Sequence, residues 1–231
     1  MKYPRTYHLP FSPGTTNDDK MLPKKKWFDN YRGKEVVITE KLDGENIHMD
    51  KDNCFARSDG EVTRSPWTKN IWSPSNGLFW RVQHLIGSDE TIFGENLYGE
   101  HAIHYDKLNT YFHIFGVVGK SKENPQSSIF YSWDDLKKVS ERLEIPTVPV
   151  IYEGKIQSEA HLKKIIEEAM KTPSAYGTTK EGIVMRIRDS FLTEDFPKCV
   201  CKWVRPNHVQ TDKHWTKNWK RAELFDNYEY Y

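Results

Sequence analysis

Cysteine is scarce in this chain. Cys54, Cys199 and Cys201 are the only three among 231 residues. A small odd number in a chain of this length excludes a disulfide framework. Cys199 and Cys201 alternate within one strand-like run, so both would point to one face, and core packing accounts for them better than a metal site. Long apolar runs are missing as well. None approaches the roughly 18 residues a spanning helix needs, and no signal-peptide pattern opens the chain. The expected setting is therefore cytoplasmic, with no membrane partner. Charge of one sign is also missing: 34 Lys and Arg stand against 33 Asp and Glu, a net +1. Bulk charge does not announce a polyanionic partner, so such a site would need locally segregated charge. There are no internal repeats, no low-complexity linkers and no regular strand–helix alternation, which argues against a doubly wound sheet.

What is present supports a sizeable core. Hydrophobic residues make up 37% and aromatics 13%, with 8 Trp, enough for one large domain or two small ones. Residues 1–33 are rich in Pro, Lys and aromatics without a clean period and read as loop. Within them Lys24-Lys25-Lys26-Trp27 is a basic–aromatic cluster, either solvated surface or a phosphate contact. Strand patterns cover 35–41, 46–51, 53–58, 91–97, 111–118, 181–187 and 198–204. Apolar residues at helical spacing mark 75–86. Ser132 with Asp135 resembles a capping box opening a helix through Leu143, and Ser158 can cap another through Met170. Strand runs with inserted helices indicate an α+β fold with antiparallel sheets.

The chemistry concentrates in one hexapeptide, Lys41-Leu42-Asp43-Gly44-Glu45-Asn46. The β-branched run Val36-Val37-Ile38-Thr39 reads as a buried strand, and Asp43-Gly44 as a turn at its end. The strand therefore delivers a lysine to the lip of a turn, the placement a lysine nucleophile needs. A plain hairpin would show the same four residues. Further along come Phe93-Gly94-Glu95-Asn96-Leu97-Tyr98-Gly99, Tyr111-Phe112-His113-Ile114-Phe115, Glu181-Gly182-Ile183-Val184-Met185-Arg186 and Val200-Cys201-Lys202-Trp203. In this order the segments resemble motifs I, III, IIIa, IV and V of the covalent nucleotidyltransferases: ATP-dependent DNA and RNA ligases and mRNA capping enzymes. Glu40-Lys41, Gly44 and Asn46 are most similar to the nick-sealing RNA ligase 2 type. The resemblance runs from about Val36 to Arg205.

The resemblance implies a ligase adenylation fold with antiparallel sheets flanking a nucleotide cleft, ATP and Mg²⁺ (or Mn²⁺) as cofactors, and RNA strand ends (a nicked duplex or a broken stem-loop) as partners of a monomer. It implies Lys41 as the nucleophile that carries AMP, Glu40 near the adenine, and Asn46 in the end-sealing steps. Arg57 would touch ribose or the strand-end phosphate, Glu95 the ribose hydroxyls, and Phe115 would stack on adenine. Glu181 would hold the metal through water and Lys202 would contact the α-phosphate. Each has a plain alternative: Asn46 as a turn residue, Phe115 as core, Glu181-Gly182 as a turn. A lysine nucleophile must be neutral, and its ordinary pKa is about 10.4. Burial or the nearby charge of Lys202 and a metal is expected to lower it.

Two departures from the family pattern stand out. Motif V ordinarily carries two lysines one residue apart, whereas Lys202 is followed by Trp203-Val204-Arg205, so the second cation is Arg205 or the upstream Lys198. Asp43 stands where the most similar RNA ligases often have His, which keeps DNA ligation open. His101 and His104 lack a third ligand for zinc. The expected organisation is an adenylation domain over 1–205 and a basic–aromatic tail over 206–231, too short for an OB domain. In that tail Lys213, Lys217, Lys220 and Arg221 interleave with Trp215, Trp219, Tyr228, Tyr230 and Tyr231. It would either grip RNA or pack on the body. The expected activity is ATP-dependent RNA ligation through lysyl-AMP. The alternatives are a minimal DNA nick ligase, a capping guanylyltransferase, and a non-catalytic sensor of RNA ends or nucleotide.

Overall fold

The computed structural model describes residues 1–57, 62–75, 77–207 and 219–225. Its strands in chain order are β1 (Tyr7–His8), β2 (Glu35–Lys41), β3 (Glu45–Met49), β4 (Cys54–Ala56), β5 (Thr91–Asn96), β6 (Phe112–Lys120), β7 (Ser128–Phe130), β8 (Val150–Lys155), β9 (Gly182–Ile187), β10 (Phe191–Leu192) and β11 (Val200–Val204). Its helices are α1 (Lys69–Trp72), α2 (Leu78–Leu85), α3 (Trp133–Leu143), α4 (Glu159–Lys171) and α5 (Phe196–Cys199). Two sheets form. One runs β1-β11-β9-β2-β8 and the other β10-β7-β6-β5-β3-β4. Among the described residues the pairings between these strands are antiparallel except β1 on β11, which is parallel.

The β-branched run of β2 is buried on both faces, as a central strand requires. Val36, Val37 and Ile38 have no exposed surface. Val37 joins the core that holds Ile47, Ile114, Trp133 and Leu136, while Val36 and Ile38 join the core made with Leu162, Ile166 and Met185. Helices α3 and α4 therefore cover separate cores, and β2 lies in both. Their starts follow the expected chemistry: Ser132 Oγ accepts from the Asp135 N–H at 3.1 Å and Ser158 Oγ from the His161 N–H at 3.1 Å.

Several local expectations are corrected. The helix expected over 75–86 begins at Leu78, behind Gly77 at φ 61°. Lys198 and Cys199 belong to α5, with Pro197 in its first turn, so the last strand starts at Val200. Cys199 and Cys201 thus do not share a strand, but all three cysteines are free and buried. Strands β1, β7, β8 and β10 had no expectation behind them. The N-terminal loop in fact contains β1 and a 3₁₀ turn at Trp27–Asn30, whose Trp27 is buried. Among the described residues no helix is long and apolar enough to cross a membrane.

Candidate active site

The two sheets enclose a cavity of about 780 Å³, within the range of small-molecule sites. One wall comes from β2, β9 and β11, with Glu40, Lys41, Val184, Arg186 and Lys202. The other comes from β3, β5 and β6, with Asn46, Glu95 and Phe115. The N-terminal segment closes an edge with Tyr3, Arg5, Thr6 and Asp19.

Strand register sets the centre of the site. Lys41 ends β2 directly opposite Gly182, the first residue of β9. This brings Glu181 to the lysine, with Lys41 Nζ 2.5 Å from Glu181 Oε2. Gly182 is obligatory here. A Cβ at that position would fall on the Trp203 carbonyl oxygen and lie 2.9 Å from Val204 Cα, both backbone atoms of the adjoining strand. Glu181 does not itself line the cavity; it acts on it through Lys41.

The turn after β2 is pinned from three sides. Asp43 Oδ2 accepts the N–H groups of Ala102 and Ile103 at 2.9 Å each, the Asp43 N–H donates to Tyr105 Oη at 2.9 Å, and the Gly44 N–H donates to Glu95 Oε1 at 3.1 Å. Asp43 therefore clamps the loop carrying His101, a cavity residue. A Cβ on Gly44 would lie 2.6 Å from the Asn96 carbonyl oxygen, so this close approach also requires glycine.

Charge in this cluster leans negative. Burial pushes the Lys41 ammonium down, but Glu181, Glu95 and Asp43 outweigh it and the net direction is up. Burial, reinforced by Glu181 and opposed by Lys41, pushes the Glu95 carboxyl up to about 8. Burial and the charge of Lys41 push Lys202 down. From the protein's own groups alone, Lys41 is therefore shifted upward. Its nearest charged neighbour is a carboxylate, not Lys202.

The remaining expected residues have these places. Glu40 is buried, and its carboxylate accepts from Ser174 Oγ at 2.5 Å and the Ala175 N–H at 3.1 Å, so it holds the segment leading to Glu181. Asn46 pairs across to Glu95 in the ladder, and its Oδ1 is buried without a hydrogen-bond partner among the described residues. Arg57 follows β4 and is exposed at the cavity edge, its N–H on the Asn46 carbonyl. The Phe115 ring meets Tyr3 edge-on at 5.0 Å, a contact no motif announced. Arg205 and Lys198 do not line the cavity. Lys198 pairs with Asp195 at 2.8 Å, whereas Arg205 has its Nε and Nη2 buried without a hydrogen-bond partner among the described residues. Neither supplies a second cation beside Lys202 here.

Four contributing residues carried no assigned role in the sequence. Lys180 Nζ donates to the carbonyls of Ala169, Thr172 and Pro173 and to Thr172 Oγ1, at 3.0, 2.9, 2.5 and 2.8 Å, fastening the end of α4. Arg186 is buried at the cavity floor beneath the rings of Trp133 and Phe191. Asp19 and His8 stand beside Lys202. Only Arg186, inside a motif, left a signal in the sequence. Of the tail, Lys213, Trp215, Lys217, Tyr228, Tyr230 and Tyr231 lie outside the described residues. Residues 219–225 pack on the body: Trp219 lies 5.9 Å from the Tyr98 ring, Arg221 bridges Gly99, and Ala222 is buried.

Comparison with known proteins converges on one fold. The family model described as RNA ligase matches residues 34–204. A structure of Naegleria gruberi RNA ligase with PPi superposes with a TM-score of 0.57 at 17% identity, covering 88% of this chain and 57% of that one. A mutant of the same ligase with ATP and Mn gives 0.55 at 15% identity, covering 80% and 53%. A putative ATP-dependent DNA ligase from Aquifex aeolicus gives 0.53 at 18% identity, covering 88% and 50%. No curated protein matches by sequence. At these identities the structural likeness is one of fold, the α+β architecture of ligase adenylation domains. The chain spans about half the length of the ligases it resembles.

Proposed function

The chain belongs to the RNA ligase family, and on that premise we propose that it is an ATP-dependent RNA ligase joining 3′-hydroxyl and 5′-phosphate ends through lysyl-AMP on Lys41. The observation that carries this reading is the juxtaposition of Lys41, Glu95, Lys202 and Asn46 at one cavity, with Glu181 held against Lys41 behind them, from five separate stretches of chain. A pure binding module has no use for a lysine set against a carboxylate at the end of a buried strand.

In the first step Lys41 Nζ, once deprotonated, forms a bond to the α-phosphorus of ATP while the bond to the pyrophosphate oxygen breaks. The proton must leave Lys41 first, and Glu181 Oε2 is the group in contact with it. Glu181 Oε2 is placed to accept that proton, and a carboxylate has acceptor capacity left over for a water on a bound cation. Lys202, on the same wall, faces charge developing at the α-phosphate. AMP then passes to the RNA 5′-phosphate, and the 3′-hydroxyl displaces it. Asn46 and Arg57, at the edge toward β3 and β4, are the groups assigned to the strand ends. Phe115 and Val184, from opposite sheets, flank the space assigned to adenine.

The donor set fits a divalent cation held indirectly. Among the described residues no three His, Cys, Asp or Glu side chains form a metal-holding group, yet the Glu181 carboxylate stands at the cleft lysine, where a water-bridged cation could be held. Glu181 would hold such a cation through water, and the cation would supply positive charge at the phosphates.

Joining assays on a nicked RNA duplex, a broken RNA stem-loop and a nicked DNA duplex, each with ATP, test the substrate class. Sealed RNA with little sealed DNA is expected. Sealing confined to DNA would replace this reading with nick ligation of DNA, an alternative the Aquifex likeness keeps in view.

A further inference from the structure

The family match begins at residue 34, yet a residue upstream of it holds one of the cleft lysines. Strand β1 pairs in parallel with β11 so that His8 stands beside Lys202, and the Leu9 N–H donates to the Lys202 carbonyl at 2.8 Å. The chain then loops back along the other side of β1, where the His8 N–H bonds the Lys20 carbonyl and the Leu22 N–H bonds the His8 carbonyl, both at 2.8 Å. This return brings Asp19 against the cavity.

The Asp19 carboxylate is divided between two tasks. Oδ2 is fixed by the Thr16 N–H and Thr16 Oγ1, at 3.0 Å each. Oδ1 faces outward, 3.5 Å from Lys202 Nζ and 3.2 Å from His8 Nε2. His8 is buried, its Nδ1 2.9 Å from Ser12 Oγ, and that hydroxyl in turn accepts the Val204 N–H at 2.9 Å. Burial pushes the Asp19 carboxyl up, but Thr16, Lys202 and His8 outweigh it and bring it down to about 2, so it is an anion at neutral pH.

We propose that Asp19, fixed by Thr16, is a positioning residue that holds the Lys202 ammonium in the orientation it uses toward the α-phosphate. A lysine ammonium rides on a flexible four-carbon stem. Groups that stabilise a transition state are effective when they are already oriented. A carboxylate anchored at its other oxygen supplies that orientation at the cost of partly screening the charge. The two effects oppose each other, which makes the role testable.

The inference rests on the ligase reading and is separable from it. Lysyl-AMP formation is followed by transfer of radiolabel from ATP to the full-length protein, over a range of ATP concentrations, for wild type, Asp19→Ala and Asp19→Asn, with melting temperatures in parallel. Asp19→Ala should lower the rate at saturating ATP by about tenfold or more, with half-saturation moving by less than about threefold, the pattern of an interaction used in the transition state. Asp19→Asn, which keeps an acceptor in place, should recover part of the loss. If Asp19→Ala fails to fold, Thr16→Val keeps the charge, loosens its anchor, and should show the same pattern in weaker form. An unchanged or faster rate would overturn the proposal, as would a loss confined to ATP affinity. A wild-type protein that takes up no label would instead remove the ligase reading beneath it.

Discussion

Replacing Lys180 with Met removes one ammonium and leaves its aliphatic stem in place. The ammonium is buried, and its three N–H groups are shared among four oxygens at the end of α4, three of them backbone carbonyls. Hydrogen bonds from a charged donor contribute about 1.5–3 kcal/mol each, and the three N–H groups shared among these oxygens give a gross figure of about 4.5–9 kcal/mol. Removing the charge also relieves its desolvation, which costs several kcal/mol for a buried ion; burial indeed pushes the Lys180 pKa down, against the opposing pull of Glu40. The net loss expected is about 2–4 kcal/mol. It should appear in urea unfolding as a lower midpoint at unchanged slope, and as a melting temperature lower by roughly 5–15 °C. Because the segment from Thr172 to Glu181 hangs from this anchor and from the Glu40 carboxylate, label transfer should also slow at temperatures where the variant is folded. A stability loss below about 0.5 kcal/mol, within the range of an ordinary surface substitution, would refute the capping role.

Other outcomes follow from the same geometry. Gly182→Ala drives a methyl into the backbone of β11 and should cost more than about 3 kcal/mol; soluble protein with a wild-type melting temperature would contradict the register at Lys41. Asn46→Ala should still form lysyl-AMP but join RNA poorly, since the amide borders the cavity without touching Lys41; parallel loss of both activities would reduce Asn46 to a shaper of the strand. His113 is fully buried and burial pulls its pKa down to about 3. Its contribution is therefore fully present above the unfolded value of about 6.5 and lost as pH falls toward 3, at up to about 1.4 kcal/mol per pH unit. His113→Leu should flatten the acid limb of stability against pH, and an unaltered slope would show that another group governs it.

How much was legible depended on whether a residue's neighbours were near it in sequence. The strands β2, β5, β6, β9 and β11 carry dense apolar runs with the motif residues among them, so both the elements and the chemistry-bearing positions could be read. The cap serines announced α3 and α4 because their partners lie three residues away. Strand β8, by contrast, is an edge strand after Pro149 with Gly154 inside it, and neither residue signals a strand. The helical turn at Lys198 and Cys199 follows from Pro197, whose fixed φ suits the first turn of a helix. Long-range partners left no local trace. Asp43 read as a turn residue although its carboxylate binds a loop some 60 positions away. Asp19 lies in the stretch that reads as loop, although it meets Lys202. The carboxylate against Lys41 was also hidden, because Glu181 lies 140 positions away in sequence.

The most direct test of the central claim is a covalent one. The protein is incubated with Mg²⁺ and ATP radiolabelled at the α-phosphate, then resolved under denaturing conditions. The account predicts label on the wild-type chain, none on Lys41→Ala, and an AMP-bearing peptide that contains Lys41. Label retained by Lys41→Ala, or no label on a folded wild-type protein, would contradict it.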